Sequence, residues 1–187
     1  MNSGAILDAA VFAASIHRGQ YRKGDTSAPY LEHCLEVAYL LSNLGGIDDE
    51  TTIVAALLHD TLEEDASKAD DIRSRFGDEI LEIVKELTDD PALAEAERRK
   101  AQVDHAPHLS QRAKAIKLAD KISNIRDVIE HRPEGWSDER LAEYIEWGRD
   151  VVEGLRGAND KLEERFDELV LQDAYANSPS DHSEPPA

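Results

Sequence analysis

Cysteine is almost missing. Cys34 is the single one in 187 residues, so no intramolecular disulfide can form, and a reducing, cytoplasmic setting is expected. Aromatic residues are scarce at 5%, and the apolar positions are mostly Ala, Leu, Ile and Val, which suits packed helices. Basic residues are outnumbered, 21 Lys and Arg against 40 Asp and Glu, for a formal net charge of -19. A chain that acidic offers no broad basic face, which argues against nucleic-acid or anionic-membrane partners. It leaves room for an anionic small molecule, because a metal and a local cluster of cations reverse the field inside a cleft. No apolar run approaches the ~20 residues of a membrane span. Met1-Asn2-Ser3-Gly4 lacks the charged and then apolar start of a signal peptide. Glycine-rich phosphate loops after a strand and Cys-His zinc-finger spacings are also absent.

What remains is helical periodicity. Ala5 to His17 reads as a first helix, with Val11 and Phe12 widening its apolar face. Pro29 suits the first position of a second helix running through Leu44. One row there is Leu31, Leu35, Ala38 and Leu41, and His33 shares the next row with Val37, Leu40 and Leu44. Cys34 reads as a small core residue. Gly45-Gly46 breaks the chain, and Asp48 or Asp49 caps a third helix. Further helices are predicted over 70–75, 78–87 and 91–106, the last carrying Arg98-Arg99-Lys100. Ser110 caps a helix to about Glu130, Ser137 caps another, and 160–171 closes the series. From Gln172 the composition turns to Asn, Ser, Pro, Asp and Glu, which predicts a disordered tail over 172–187 behind one domain, 1–171. The expected class is all-α.

Three places concentrate chemistry. The apolar run Ile53 to Leu58 delivers His59-Asp60 toward the interior, followed by Glu63-Glu64-Asp65. On a continuous helix Glu63 falls on or beside the His-Asp face. Buried ionisable groups are costly unless paired or bound to a cation. Asp120 sits next to an apolar row of Leu118, Ile122, Ile125 and Ile129 and needs a partner; Lys117 or Lys121 would supply one without any metal. The loop Gly19 to Asp25 carries Arg22-Lys23, and in so acidic a chain it is a candidate for holding an anion.

His33, His59-Asp60 and Asp120 together resemble the HD superfamily of metal-dependent phosphohydrolases. Within it, five blocks resemble the hydrolase domain of the RelA/SpoT alarmone enzymes: Arg22-Lys23-Gly24-Asp25, Pro29-Tyr30-Leu31-Glu32-His33, the Ala-Ala-Leu-Leu-His-Asp-Thr run, Phe76-Gly77 and Lys117-Leu118-Ala119-Asp120-Lys121. Pro133-Glu134-Gly135-Trp136-Ser137 and Glu143-Tyr144-Ile145-Glu146-Trp147 resemble the stand-alone small alarmone hydrolases, the metazoan type in particular. The resemblance implies an all-α HD-domain bundle holding a single Mn2+ on His33, His59, Asp60 and Asp120. It implies catalytic acids at Glu63 and Glu64, the second standing where the family carries Asp, with Asp65 as an alternative for that role. The implied substrate is a nucleotide bearing a 3′-pyrophosphate, ppGpp or ppApp, cleaved to pyrophosphate and the 5′-phosphorylated nucleoside. Arg22 and Lys23 match positions against the nucleotide, Asn124 one near the ribose, and Arg140 and Tyr144 two that face the substrate. Glu95 stands where a basic residue is expected, with Arg98 or Arg99 to compensate. Other readings of the same residues are an NADPH 2′-phosphatase, a non-catalytic alarmone-binding sensor, and an acidic bundle whose His33 and Asp120 make structural ion pairs only.

Overall fold

The computed structural model describes residues 3–24 and 27–176. Ten α-helices follow in order: α1 (Ser3–Ile16), α2 (Leu31–Tyr39), α3 (Glu50–Leu58), α4 (Thr61–Glu64), α5 (Ala69–Phe76), α6 (Asp78–Leu87), α7 (Glu95–His105), α8 (Gln111–Glu130), α9 (Asp138–Glu153) and α10 (Asp160–Ala176). No strand occurs among the described residues; Tyr21 and Pro29 form an isolated antiparallel bridge that closes the neck of the loop between α1 and α2.

The centre of the bundle is α3. From Thr52 to Leu58 every one of its side chains is buried, the pattern of a helix surrounded on all sides. It packs against α1, α2, α6 and α8. Its start is pinned by Asp49, whose side chain accepts from the Thr52 N–H at 3.2 Å and also pairs with Arg112 at the start of α8. The longest helix, α8, begins at Ser110, whose hydroxyl accepts from the Ala113 N–H. It carries Leu118, Ile122 and Ile125 into the core and packs against α2, α6, α9 and α10. These two helices and α2 converge, and the chemistry-bearing residues sit where they meet.

Four expectations need correction. Leu35 is 45% exposed and Val11 67%, so the apolar rows of α1 and α2 are narrower than the spacing suggests. Pro29 lies in the bridge to Tyr21, and α2 begins two positions later, at Leu31. The same helix ends in a π-helical turn, Leu40–Leu44. Finally, α10 continues through Ala176, beyond the boundary expected at residue 172; the rest of the expected tail, 177–187, lies outside the described residues, as does Asp25 of the basic loop.

Candidate active site at a histidine–aspartate cluster

The α3 helix stops at the point where its apolar run ends. His59 is its C-cap, still helical in backbone. Asp60 then bends away at φ -97°, ψ -1°, and α4 starts at Thr61. The Thr61 hydroxyl donates to the Leu58 carbonyl at 2.6 Å, satisfying a group that the helix end would leave open. This bend turns adjacent residues toward a common point. His33 reaches it from α2 and Asp120 from α8.

Four atoms meet there. His33 Nε2 lies 3.2 Å from His59 Nε2, 3.5 Å from Asp60 Oδ2 and 3.2 Å from Asp120 Oδ1. His59 Nε2 lies 3.0 Å from Asp60 Oδ2 and 3.7 Å from Asp120 Oδ1. For ligands about 2.1 Å from an ion, neighbouring octahedral positions are ~3.0 Å apart and tetrahedral ones ~3.4 Å. The spacing therefore fits donors facing one divalent ion. His33, His59 and Asp60 form the compact set, with ligand atoms within 4.8 Å of one another. Asp120 approaches both imidazoles but stands outside that set.

The charges are mutually dependent. Burial opposes a charged His59, yet the Asp60 carboxylate and hydrogen bonds to Asp120 and Asp60 outweigh it and push the imidazole up to about 10. Burial likewise opposes ionised Asp60 and Asp120. The adjacent imidazoles hold Asp60 well below the usual carboxylate range, and Lys121 followed by the imidazoles does the same for Asp120. One buried and one half-buried carboxylate thus gather at a point where a divalent cation would balance their charge.

Further groups orient the cluster. The His59 Nδ1 sits 2.7 Å from the Ala56 carbonyl, so it carries the proton and turns Nε2 toward the cluster. Tyr30 donates its hydroxyl to Asp60 Oδ2 at 2.5 Å, and its ring lies against those of His17 and His33. Asn124 donates to Asp120 Oδ1 at 2.6 Å, and Lys121 Nζ lies 3.3 Å from Asp120 Oδ2.

A cleft of about 480 Å3 opens beside Asp60, and Glu63, Glu64, His17, Gln20, Tyr30 and Arg98 line it. Glu63 is exposed along this cleft, with Asp60 and Asp89 close to its carboxyl group. Desolvation, and then the charge of Asp60, push it up to about 7; the Asp89 N–H, donating at 2.9 Å, fixes its position. Asp65 is committed elsewhere, accepting from the backbone and hydroxyl of Ser67.

Residues 9–145 match the pattern of the HD-domain family. The chain belongs to the HD-domain family. It is 47% identical to the guanosine-3′,5′-bis(diphosphate) 3′-pyrophosphohydrolase MESH1 of Xenopus tropicalis over 91% of this chain and 96% of that one. Against human MESH1 the identity is 46%, over 89% and 93% of the two chains. The fold superposes with a TM-score of 0.87, at 40% identity, on a metazoan ortholog of SpoT described as hydrolysing ppGpp, covering 92% of this chain and 97% of that one.

Around the HD cluster, the residues expected to meet substrate fall into two groups. Lys23 and Tyr144 share one aromatic box. Lys23 Nζ lies 5.7 Å from the Trp136 ring and 5.6 Å from that of Tyr144. Tyr144 stands between Trp136 and Trp147, 5.2 Å from each, and Arg99 covers both Tyr144 and Trp147. Arg140 lies 4.8 Å over Trp136 and lines a separate hollow with Glu95, Arg99 and Glu143. Lys121 links box to cluster, 4.2 Å from the Trp147 ring. Arg22, by contrast, is only 7% exposed. It donates to the Ser123 hydroxyl and carbonyl and pairs with Asp127, so the open cation of that loop is Lys23. Asn124 spends its amide on Asp120.

Sequence reading missed several contributors. Tyr30 precedes His33 by three positions, which brings it to the same side of the chain, and that spacing could have flagged it. His17, buried with Nε2 lacking a hydrogen-bond partner, and the stacking role of Trp147 left no such signal.

Proposed function

We propose that this chain hydrolyses guanosine-3′,5′-bis(diphosphate), releasing pyrophosphate from the 3′ position, with one Mn2+ held by His33, His59, Asp60 and Asp120. The observation that carries the reading is the convergence of two imidazoles and two carboxylates beside a cleft that Glu63 and Glu64 line. The similarity to the MESH1 proteins over nearly their whole length supports it.

When bound, the ion supplies Lewis acidity, acidifying water and polarising a phosphoryl oxygen. Glu63 accepts the proton of the attacking water; a base with a pKa near the working pH serves that role best. Glu64 stands in the same cleft wall and holds the water against Glu63. The water oxygen joins phosphorus as the bond from phosphorus to the 3′ oxygen breaks, and the ribose hydroxyl that is left takes up a proton. Lys23, Arg98 and Arg99 offset the substrate's negative charge, which the chain's net charge would otherwise repel. Tyr144, itself buried, backs the Trp136 and Trp147 rings, which offer flat faces to the base, and Arg140 beside Trp136 meets phosphate. Arg22 acts as a brace for the loop that presents Lys23. A buried thiol at Cys34 suits the reducing cytoplasm expected from the sequence.

The test is product analysis on purified protein with Mn2+, offering ppGpp, ppApp and NADPH in parallel, with Glu63→Ala as control. Pyrophosphate from ppGpp, lost in the variant and on chelation, is the expected result. Pyrophosphate from ppApp alone would change the base, and phosphate from NADPH alone would move the chain to a phosphatase role. Nucleotide retained without turnover would make it a sensor.

A further inference from the structure

Ser123 lies on α8 one turn beyond Asp120 and is fully buried. Its hydroxyl has three neighbours. Arg22 Nη1 is 3.1 Å away, Glu36 Oε2 is 2.8 Å away, and His33 Nδ1 is 2.9 Å away. A hydroxyl has one hydrogen and two lone pairs. The guanidinium can only donate, so it takes one lone pair. An ionised carboxylate can only accept, so the hydrogen goes to Glu36. One lone pair remains, and it faces His33 Nδ1, which must therefore carry a hydrogen. Arg126 faces the other oxygen of Glu36, its nitrogen 2.6 Å from Oε1 as an ion-pair contact without hydrogen-bond alignment.

We infer that Ser123 and Glu36 are positioning residues that lock His33 with Nδ1 protonated and Nε2 turned to the metal cluster. Neither touches the ion or the substrate. Without the pair, the imidazole is held only by packing, and the tautomer with its hydrogen on Nε2 competes with metal. Arg22 brings a second consequence. Its other nitrogen donates to the Ser123 carbonyl at 2.9 Å, and the Gly24 N–H donates to Asp127 Oδ2 at 3.0 Å. A methyl group at Gly24 would meet the Asp127 carbonyl oxygen at 2.7 Å, so the loop lies flush on α8. The loop that carries Lys23 and Tyr30 is thus fastened to the same hydroxyl that orients His33.

This inference rests on the metal reading given above, and the test separates the two. Mn2+ affinity is measured by the EPR signal of unbound Mn2+, without substrate, for wild type, Ser123→Ala, Glu36→Ala and Glu36→Gln. Ser123→Ala is expected to bind about 10–100-fold more weakly, the usual effect of losing an outer partner of a ligating histidine. Glu36→Ala frees the hydroxyl to turn toward His33 and is expected to weaken binding in the same direction. Glu36→Gln keeps an acceptor for the hydroxyl and is expected to restore affinity to within about twofold of wild type. Melting curves in chelator check that each variant folds, and if Ser123→Ala does not, the two Glu36 variants decide. Wild-type affinity in the alanine variants overturns the inference. Absence of binding by the wild type overturns the metal reading and this inference with it.

Discussion

At the scale of the residue, Glu63 makes the sharpest prediction. Its folded pKa of about 7 stands above the ordinary 4.5. A raised carboxyl stabilises the fold fully below its ordinary pKa, and that stabilisation is lost as pH rises through the folded one. In chelator, Glu63→Gln should therefore gain in Tm relative to wild type between pH 5 and 8, an outcome that paired thermal melts would reveal. In the loaded protein the same variant should lose about 10²–10⁴-fold in kcat, the typical weight of a positioned acid or base. Tyr30→Phe keeps its ring contacts but removes the hydrogen bond to Asp60, so Mn2+ should bind about tenfold more weakly, with a Tm in chelator lowered by the equivalent of about 1–3 kcal/mol. The cluster itself was legible because His33, His59-Asp60 and Asp120 lie on or beside apolar rows, where an ionisable group has to be explained. Arg22 was not. Whether a loop arginine faces a ligand or its own scaffold depends on Ser123 and Asp127, which lie 101 residues away and beyond, and no local pattern reports that.

At the scale of the element, the caps were readable and the bends were not. Asp49, Ser110 and Ser137 each accept the backbone hydrogen bond that their residue type invites. The break at Asp60 was missed because nothing between Leu58 and Glu64 is a helix breaker; the bend is held by the Thr61 hydroxyl and by the contacts of His59 and Asp60. Even so, Glu63 still reaches the cleft through the short α4 rather than along one continuous helix. Packing between elements is equally specific. Gly148 brings α9 close to α8, and a methyl group there would lie 2.9 Å from Ile125 Cδ1. Gly148→Ala should lower the urea midpoint by the equivalent of about 1–3 kcal/mol, with the slope of the transition unchanged.

For the whole molecule, a ligand that binds only the folded state adds stability by mass action. Mn2+ at a hundred times its dissociation constant should add about 2.7 kcal/mol over chelated protein. Parallel urea titrations would register this as a higher midpoint, and coincident curves would rule out binding. Nucleotide should add less to this when Lys23 and Arg99 are replaced by Ala, because in so acidic a chain the substrate's charge is met by few cations. The aromatic box has an optical consequence as well. Trp136 and Trp147 are the chain's two tryptophans, and both lie against Tyr144. Indole emission from this protein therefore comes from one place, the aromatic box that Lys23 and Arg99 face. Docking of a base against these rings would change that emission, so the proposed binding mode can be followed by light without a label.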